Sequence, residues 1–104
     1  MVELEGQSCL MVEKLDEQAI ASRLADLDGW HLDNGRLRRD FKFANFVDAF
    51  AFMTTAAMEA EKMDHHPEWF NVYNKVTVHL TTHSANGISD LDFGLAETMN
   101  RLAD

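Results

Sequence analysis

The order of segments predicts an α+β domain, αββαββα, in which helices cover one face of a four-stranded antiparallel sheet. Three observations carry that reading. Three segments repeat apolar residues behind a capping residue. Two pairs of runs alternate apolar and polar residues around turn signals. Strands that alternate in this way need only one covered face.

The first helix is predicted over 17–28. Asp16 stands as its N-cap, where a carboxylate accepts from the free amides of the first turn, and Glu17 adds charge that suits the helix dipole. Ile20, Leu24 and Leu27 recur at helical spacing, and Gly29 supplies a stop. In "WHLDNGRLRRDFKF" both Asn34 and Gly35 tolerate the positive φ of a type I′ turn, which predicts a hairpin of 30–33 with 36–42. Asn45 and Asp48 form a capping pair that opens a long helix over 46–63. Its apolar residues, Phe46, Val47, Phe50, Phe52, Met53, Met58 and Met63 among them, surround the helix rather than forming one stripe. Such a helix needs cover on more than one face, and a domain this small covers only one. A homodimer or homotetramer through helix 46–63 and the sheet edges is therefore expected.

Beyond the segment 61–67, "WFNVYN" and "KVTVHLTTH" make a second hairpin turning near Asn74. Val76, Val78 and Leu80 alternate there with Thr77, His79 and Thr81, so His79 reads as a solvated strand residue, and His83 is placed at the strand's end. "SANGIS" gives a turn, and Ser89 caps a third helix in which Leu91, Leu95, Met99 and Leu102 share a face.

At 104 residues, 46% apolar and 26% charged, the chain suits one domain, expected over 9–104 behind a flexible arm at 1–8. Nine Lys and Arg against eighteen Asp and Glu give a net charge of −9, which repels phosphate backbones and counts against direct nucleic-acid binding. The single Cys9 allows no internal disulfide and no cysteine cluster for zinc, which suits a reducing, cytoplasmic setting. The N-terminus is acidic where a secretory signal is basic, and no apolar run approaches the roughly 20 residues of a membrane span, so no membrane association is expected.

Chemistry gathers in "EKMDHHPEWF". Pro67 disfavours helical backbone at His66 and cannot extend the amide ladder, so His65 and His66 fall in a stiffened connection after the long helix. Neighbouring residues outside a helix point different ways, so two imidazoles there can line different walls of one pocket. A structural origin stands beside this reading, because histidine suits a helix C-terminus and proline follows such ends. Imidazole also binds zinc, yet neither the two-histidine spacing of a metalloprotease helix nor a cysteine cluster is present, and no metal is expected. His83 sits where functional loops gather, while Asp92, three residues after Ser89, fits the partner position of a capping box. Trp69 and Phe70 point to opposite sheet faces, one for the core and one for a ligand or subunit.

The stretch "EKMDHHPEWFNVYNKVTVHLTTH", followed by Asp92 in "GISDLDFGLA", closely resembles the pterin-4a-carbinolamine dehydratase family. The pattern is an acidic residue, three positions, His-His-Pro, an aromatic, a late histidine and then an aspartate, filled here by Glu61, His65, His66, Pro67, Trp69, His83 and Asp92. The resemblance implies dehydration of 4a-hydroxytetrahydropterin to quinonoid dihydropterin, the step that recycles the pterin after aromatic amino-acid hydroxylation. It implies that His65, His66 and His83 line the active site with support from Asp92 and Glu61. Pro67, Trp69 and Thr82 would border the substrate, and no cofactor is called for. It also implies a tetramer built partly on the long helix, which some relatives use to bind a homeodomain transcription factor. A non-catalytic dimerisation partner is the alternative, and a metal-holding relative a third.

Overall fold

The computed structural model describes residues 12–104. The N-terminal arm and Cys9 lie outside the described residues. Helix α1 (Glu17–Ala25) is followed by strands β1 (His31–Asp33) and β2 (Arg36–Lys42), helix α2 (Phe46–Met63), strands β3 (Glu68–Val72) and β4 (Lys75–Leu80), a 3₁₀ turn (His83–Ala85) and helix α3 (Asp90–Ala103). The sheet runs β1-β2-β4-β3, every neighbouring pair antiparallel, as the alternation predicts.

The capping signals act where the sequence put them. Asp16 accepts from Ala19 N at 2.8 Å, and Asn45 accepts from Asp48 N at 2.8 Å. Helix α1 ends at Ala25 rather than at 28, because the Asp26 amide turns back to the carbonyls of Arg23 and Leu24; Leu27 joins the core from outside the helix. Asn34 and Gly35 take φ of 54° and 75°, the paired positive angles that a two-residue hairpin of this twist requires.

One face of α2 is buried, through Ala49, Phe52, Ala56 and Ala60. Alanines at this spacing bring the helix close to the sheet, and Phe52 stacks near Phe41 with ring centroids 4.7 Å apart. Leu37, Phe41, Val76, Val78 and Leu80 supply the sheet side of that core, and Phe93, Leu95, Ala96 and Met99 the α3 side. Leu91 is only half-buried, so the inward face of α3 is centred on Asp92, Leu95, Ala96 and Met99. Burying each large apolar side chain contributes about 1.5–3 kcal/mol, which is what holds the helices to one side of the sheet.

The last strand departs from expectation. It stops at Leu80, so His83 does not end it but opens the 3₁₀ turn. The reason is Thr82, whose backbone pairs with Gly87 while its side chain turns into the core, lifting the chain off the sheet. Thr77 and His79 lie on the helix-free face, yet neighbouring side chains cover them: Thr77 is buried against Asp40, and the His79 ring reaches Asp33 at 3.2 Å with its side chain only 13% exposed. Among the described residues, no helix is long and apolar enough to cross a membrane.

Candidate functional site

Four chain ends converge at one end of the sheet: the exit of α2, the start of β3, the end of β4 and the start of α3. Met63 closes α2, and Asp64 takes the left-handed conformation (φ 53°), its amide returning to Ala60 and Glu61 carbonyls. The next amide, His65 N, also bonds to Ala60 O at 3.0 Å, which turns the His65 ring inward. Pro67 follows, and β3 begins at Glu68.

His65 is buried and its Nε2 lies 2.6 Å from Oδ1 of Asp92, a carboxylate with no exposed surface. Oδ2 of Asp92 accepts from the Thr82 hydroxyl at 2.8 Å and from Ser89 N at 2.9 Å. Because the Thr82 proton goes to Asp92, the 2.7 Å contact between Thr82 Oγ1 and Ser89 Oγ has Ser89 as donor, and Ser89 Oγ accepts in turn from Leu91 N. Every donor around Asp92 thus has one direction. The remaining contact obliges the neutral His65 ring to carry its proton on Nε2, which leaves the lone pair on Nδ1. Asp92 therefore fills both roles that the sequence held apart: it completes the capping box with Ser89 and it orients an imidazole.

The other two histidines are placed differently. His66 faces solvent, 2.8 Å from Glu61 Oε1, with the two side chains 61% and 78% exposed. The spacing from Glu61 to His66 carries across the helix end and brings an acid to an imidazole. His83 is 83% exposed, and its Nε2 lies 3.3 Å from Glu68 Oε2. Arg36 donates to the other oxygen of Glu68 at 2.7 Å, and this hydrogen bond holds the Glu68 carboxyl below the usual carboxylate range.

Thr82 is anchored rather than free: its hydroxyl is committed to Asp92 and Ser89, and its backbone closes the loop with Gly87 through bonds of 2.9 and 3.2 Å. That loop is what carries His83 outward. Trp69 packs against the core, whereas Phe70 is 57% exposed, which divides the two aromatics as their alternation requires. A cleft of about 770 Å³ opens beside His83, bounded by the start of α1, the β1–β2 turn and residues 81–88; His65 and His66 lie outside its lining. Glu68, absent from the candidates read in the sequence, is the acidic neighbour of His83. Strand pairing brings it there, since Glu68 sits opposite His79 near the end of β4, from which the His83 loop departs.

Each of the three imidazoles thus has its own acidic partner: Asp92 for His65, Glu61 for His66 and Glu68 for His83. Among the described residues no group of three or more His, Cys, Asp or Glu side chains is placed to hold a metal ion.

A family model described as pterin 4 alpha carbinolamine dehydratase matches residues 13–102. Two relatives carry the name "Putative pterin-4-alpha-carbinolamine dehydratase". The one from Solibacter usitatus is 54% identical over 93 residues, covering 89% of this chain and 98% of its own. That from Sinorhizobium medicae is 54% identical over 94 residues, covering 88% and 90%. A crystal structure from Brucella melitensis, described as a transcriptional coactivator/pterin dehydratase, superposes with a TM-score of 0.86 at 50% identity, covering 88% of this chain and all of that one.

Proposed function

The chain belongs to the pterin-4a-carbinolamine dehydratase family, a family of hydro-lyases, and from that membership we propose how its own residues carry the reaction. The substrate is a 4a-hydroxytetrahydropterin, and the products are quinonoid dihydropterin and water, a step that returns the pterin to use after aromatic amino-acid hydroxylation. The C4a–oxygen bond breaks, a proton joins the departing hydroxide to make water, and N5 loses its proton as the C4a–N5 double bond forms. Nothing is oxidised or reduced, so the chemistry calls for a proton donor at one atom and an acceptor at another. Imidazole suits both, because its unperturbed pKa of about 6.5 lets neutral and protonated forms coexist near neutrality.

The observation that supports this reading best is the chain of contacts from His65 through Asp92 to Thr82, which ties one imidazole to the loop that presents another. His65 and His83 share the acid and base roles. Asp92 holds His65 by Nε2, so that proton exchange falls to Nδ1. His66, steadied by Glu61, holds the pterin ring, and Pro67 and Trp69 border it. The test is to generate the 4a-hydroxypterin, follow its decay spectrally, and compare wild type with His65→Ala and His83→Ala. A loss of about 10²–10⁴-fold in turnover is expected for each. Variants as fast as wild type would sink the assignment.

A second reading rests on a different surface. Phe46, Val47, Phe50 and Met58 are exposed on the outer side of α2, between 48% and 72%, and this apolar face suits a homo-oligomer or a protein partner. The Brucella relative's description as a coactivator gives that reading its support. Sedimentation of the purified chain separates the two, since self-association through α2 leaves no free face for another protein.

A further inference from the structure

His65 is held by Asp92 and His66 by Glu61, and one more carboxylate stands beside the third imidazole. Arg36 stands one residue beyond the Leu37–Leu80 pair and Glu68 sits opposite His79, so the two side chains meet across the point where β4 ends. There each oxygen of Glu68 has one partner: Oε1 takes Arg36 Nη1 at 2.7 Å, and Oε2 faces His83 Nε2 at 3.3 Å. Among the described residues no other side chain is within ion-pair or hydrogen-bond reach of the His83 ring. An imidazole that is 83% exposed on a short turn would otherwise rotate freely, and a proton-transfer group contributes only while it is aimed. The strand fixes Glu68, and Arg36 pins the oxygen that His83 does not use.

We propose that Glu68, anchored by Arg36, is the positioning residue of His83, holding the ring by Nε2 so that Nδ1 is the atom left to exchange a proton. Glu68 touches no reacting atom in this scheme; it acts through His83. What His83 does rests on the dehydratase reading, whereas how it is held does not.

The experiment keeps the two apart. Ring-¹⁵N-labelled wild type, Glu68→Gln, Glu68→Ala and Arg36→Gln are compared by two-bond nitrogen–proton spectra, alongside steady-state dehydration. All three substitutions should move the His83 ring nitrogens and leave those of His65 in place. Glu68→Gln should lower kcat about fivefold with KM within about twofold of wild type, the scale of an exposed charge contact rather than of a lost catalytic group. In a His83→Ala background the same substitution should change kcat by a factor of about one, because its route to the reaction is gone. Unmoved His83 signals in Glu68→Ala would overturn the proposal whatever the activity, and so would an undiminished fivefold effect in the His83→Ala background. A wild type that fails to speed decay sinks the dehydratase reading alone, since the spectra still decide how His83 is held.

Discussion

Replacing Asp92 by asparagine separates orientation from packing. The two side chains have the same shape, and the oxygen side can still accept from Thr82 and Ser89, the two donors that converge on Oδ2. The amide nitrogen must then face His65, where a carboxylate oxygen stood 2.6 Å away. A donor facing Nε2 is satisfied only if the ring carries its proton on Nδ1, so the proposed exchange atom holds a proton where the wild-type neutral ring has a lone pair. The imidazole is thus kept in place in the wrong tautomer, and a loss of about 10²–10⁴-fold in kcat follows. Three charge-assisted hydrogen bonds, about 1.5–3 kcal/mol each, become neutral ones of about 0.5–1.5, so stability falls by about 3–4 kcal/mol out of roughly 5–15. In a domain of this size that lowers Tm by roughly 12–30 °C, and the assay is therefore run where the melt shows the variant folded. It follows 4a-hydroxypterin decay, paired with that thermal melt. Asp92→Asn with turnover within about threefold of wild type, at full folding, would refute the tautomer argument.

Thr82→Val removes the hydroxyl that joins Asp92 to Ser89 and leaves Ser89 Oγ without its acceptor in a buried place; a stability loss of about 1–3 kcal/mol by denaturant titration is expected, and none at all would mean that the link carries no load. Acid should weaken the open face of the sheet. Asp33 is held below the usual carboxylate range chiefly by Arg38, Asp40 chiefly by Thr77 and then Arg38, and Glu68 chiefly by Arg36. Their stabilising contribution is complete above the ordinary carboxylate pKa of about 4 and is lost as pH falls through the depressed values. Tm of wild type should therefore drop below about pH 4 more steeply than that of Arg38→Met, and parallel curves would contradict the assignment of Asp33 and Asp40. Phe50→Glu puts a charge in the exposed apolar face of α2; sedimentation should give a smaller species than wild type, while an unchanged mass would exclude that face as the contact.

How far the sequence could be read depended on whether a signal was local. Asn45 and Asp48 bounded α2 at its start, and Asn34-Gly35 fixed the first hairpin, because caps and positive-φ turns are satisfied within a few residues. Helix α1 was read too long because Leu27 keeps the helical spacing, while its core position is reached from a non-helical loop. His83 was misplaced for a tertiary reason. Threonine fits a strand by propensity, yet Thr82 is turned inward by Asp92 and Ser89, which arrive from α3. His79 looked solvated by alternation alone, but the neighbouring strands bring Asp33 and Arg38 over it. The histidines and acids stood out as a motif, and Asp92 beside an imidazole was expected, but which acid meets which ring was not legible, because Asp92 reaches His65 from α3 while Glu61 meets His66 across the helix end. Glu68 had no signal of its own, since its two contacts come from β2 and from the loop after β4.

The most direct test of the central claim is the decay of freshly generated 4a-hydroxytetrahydropterin with and without the purified chain, followed spectrally at neutral pH. Decay faster than the spontaneous rate is expected, in proportion to the protein added, with the acceleration largely lost in His83→Ala at unchanged folding. A wild-type trace that overlays the spontaneous one would contradict it.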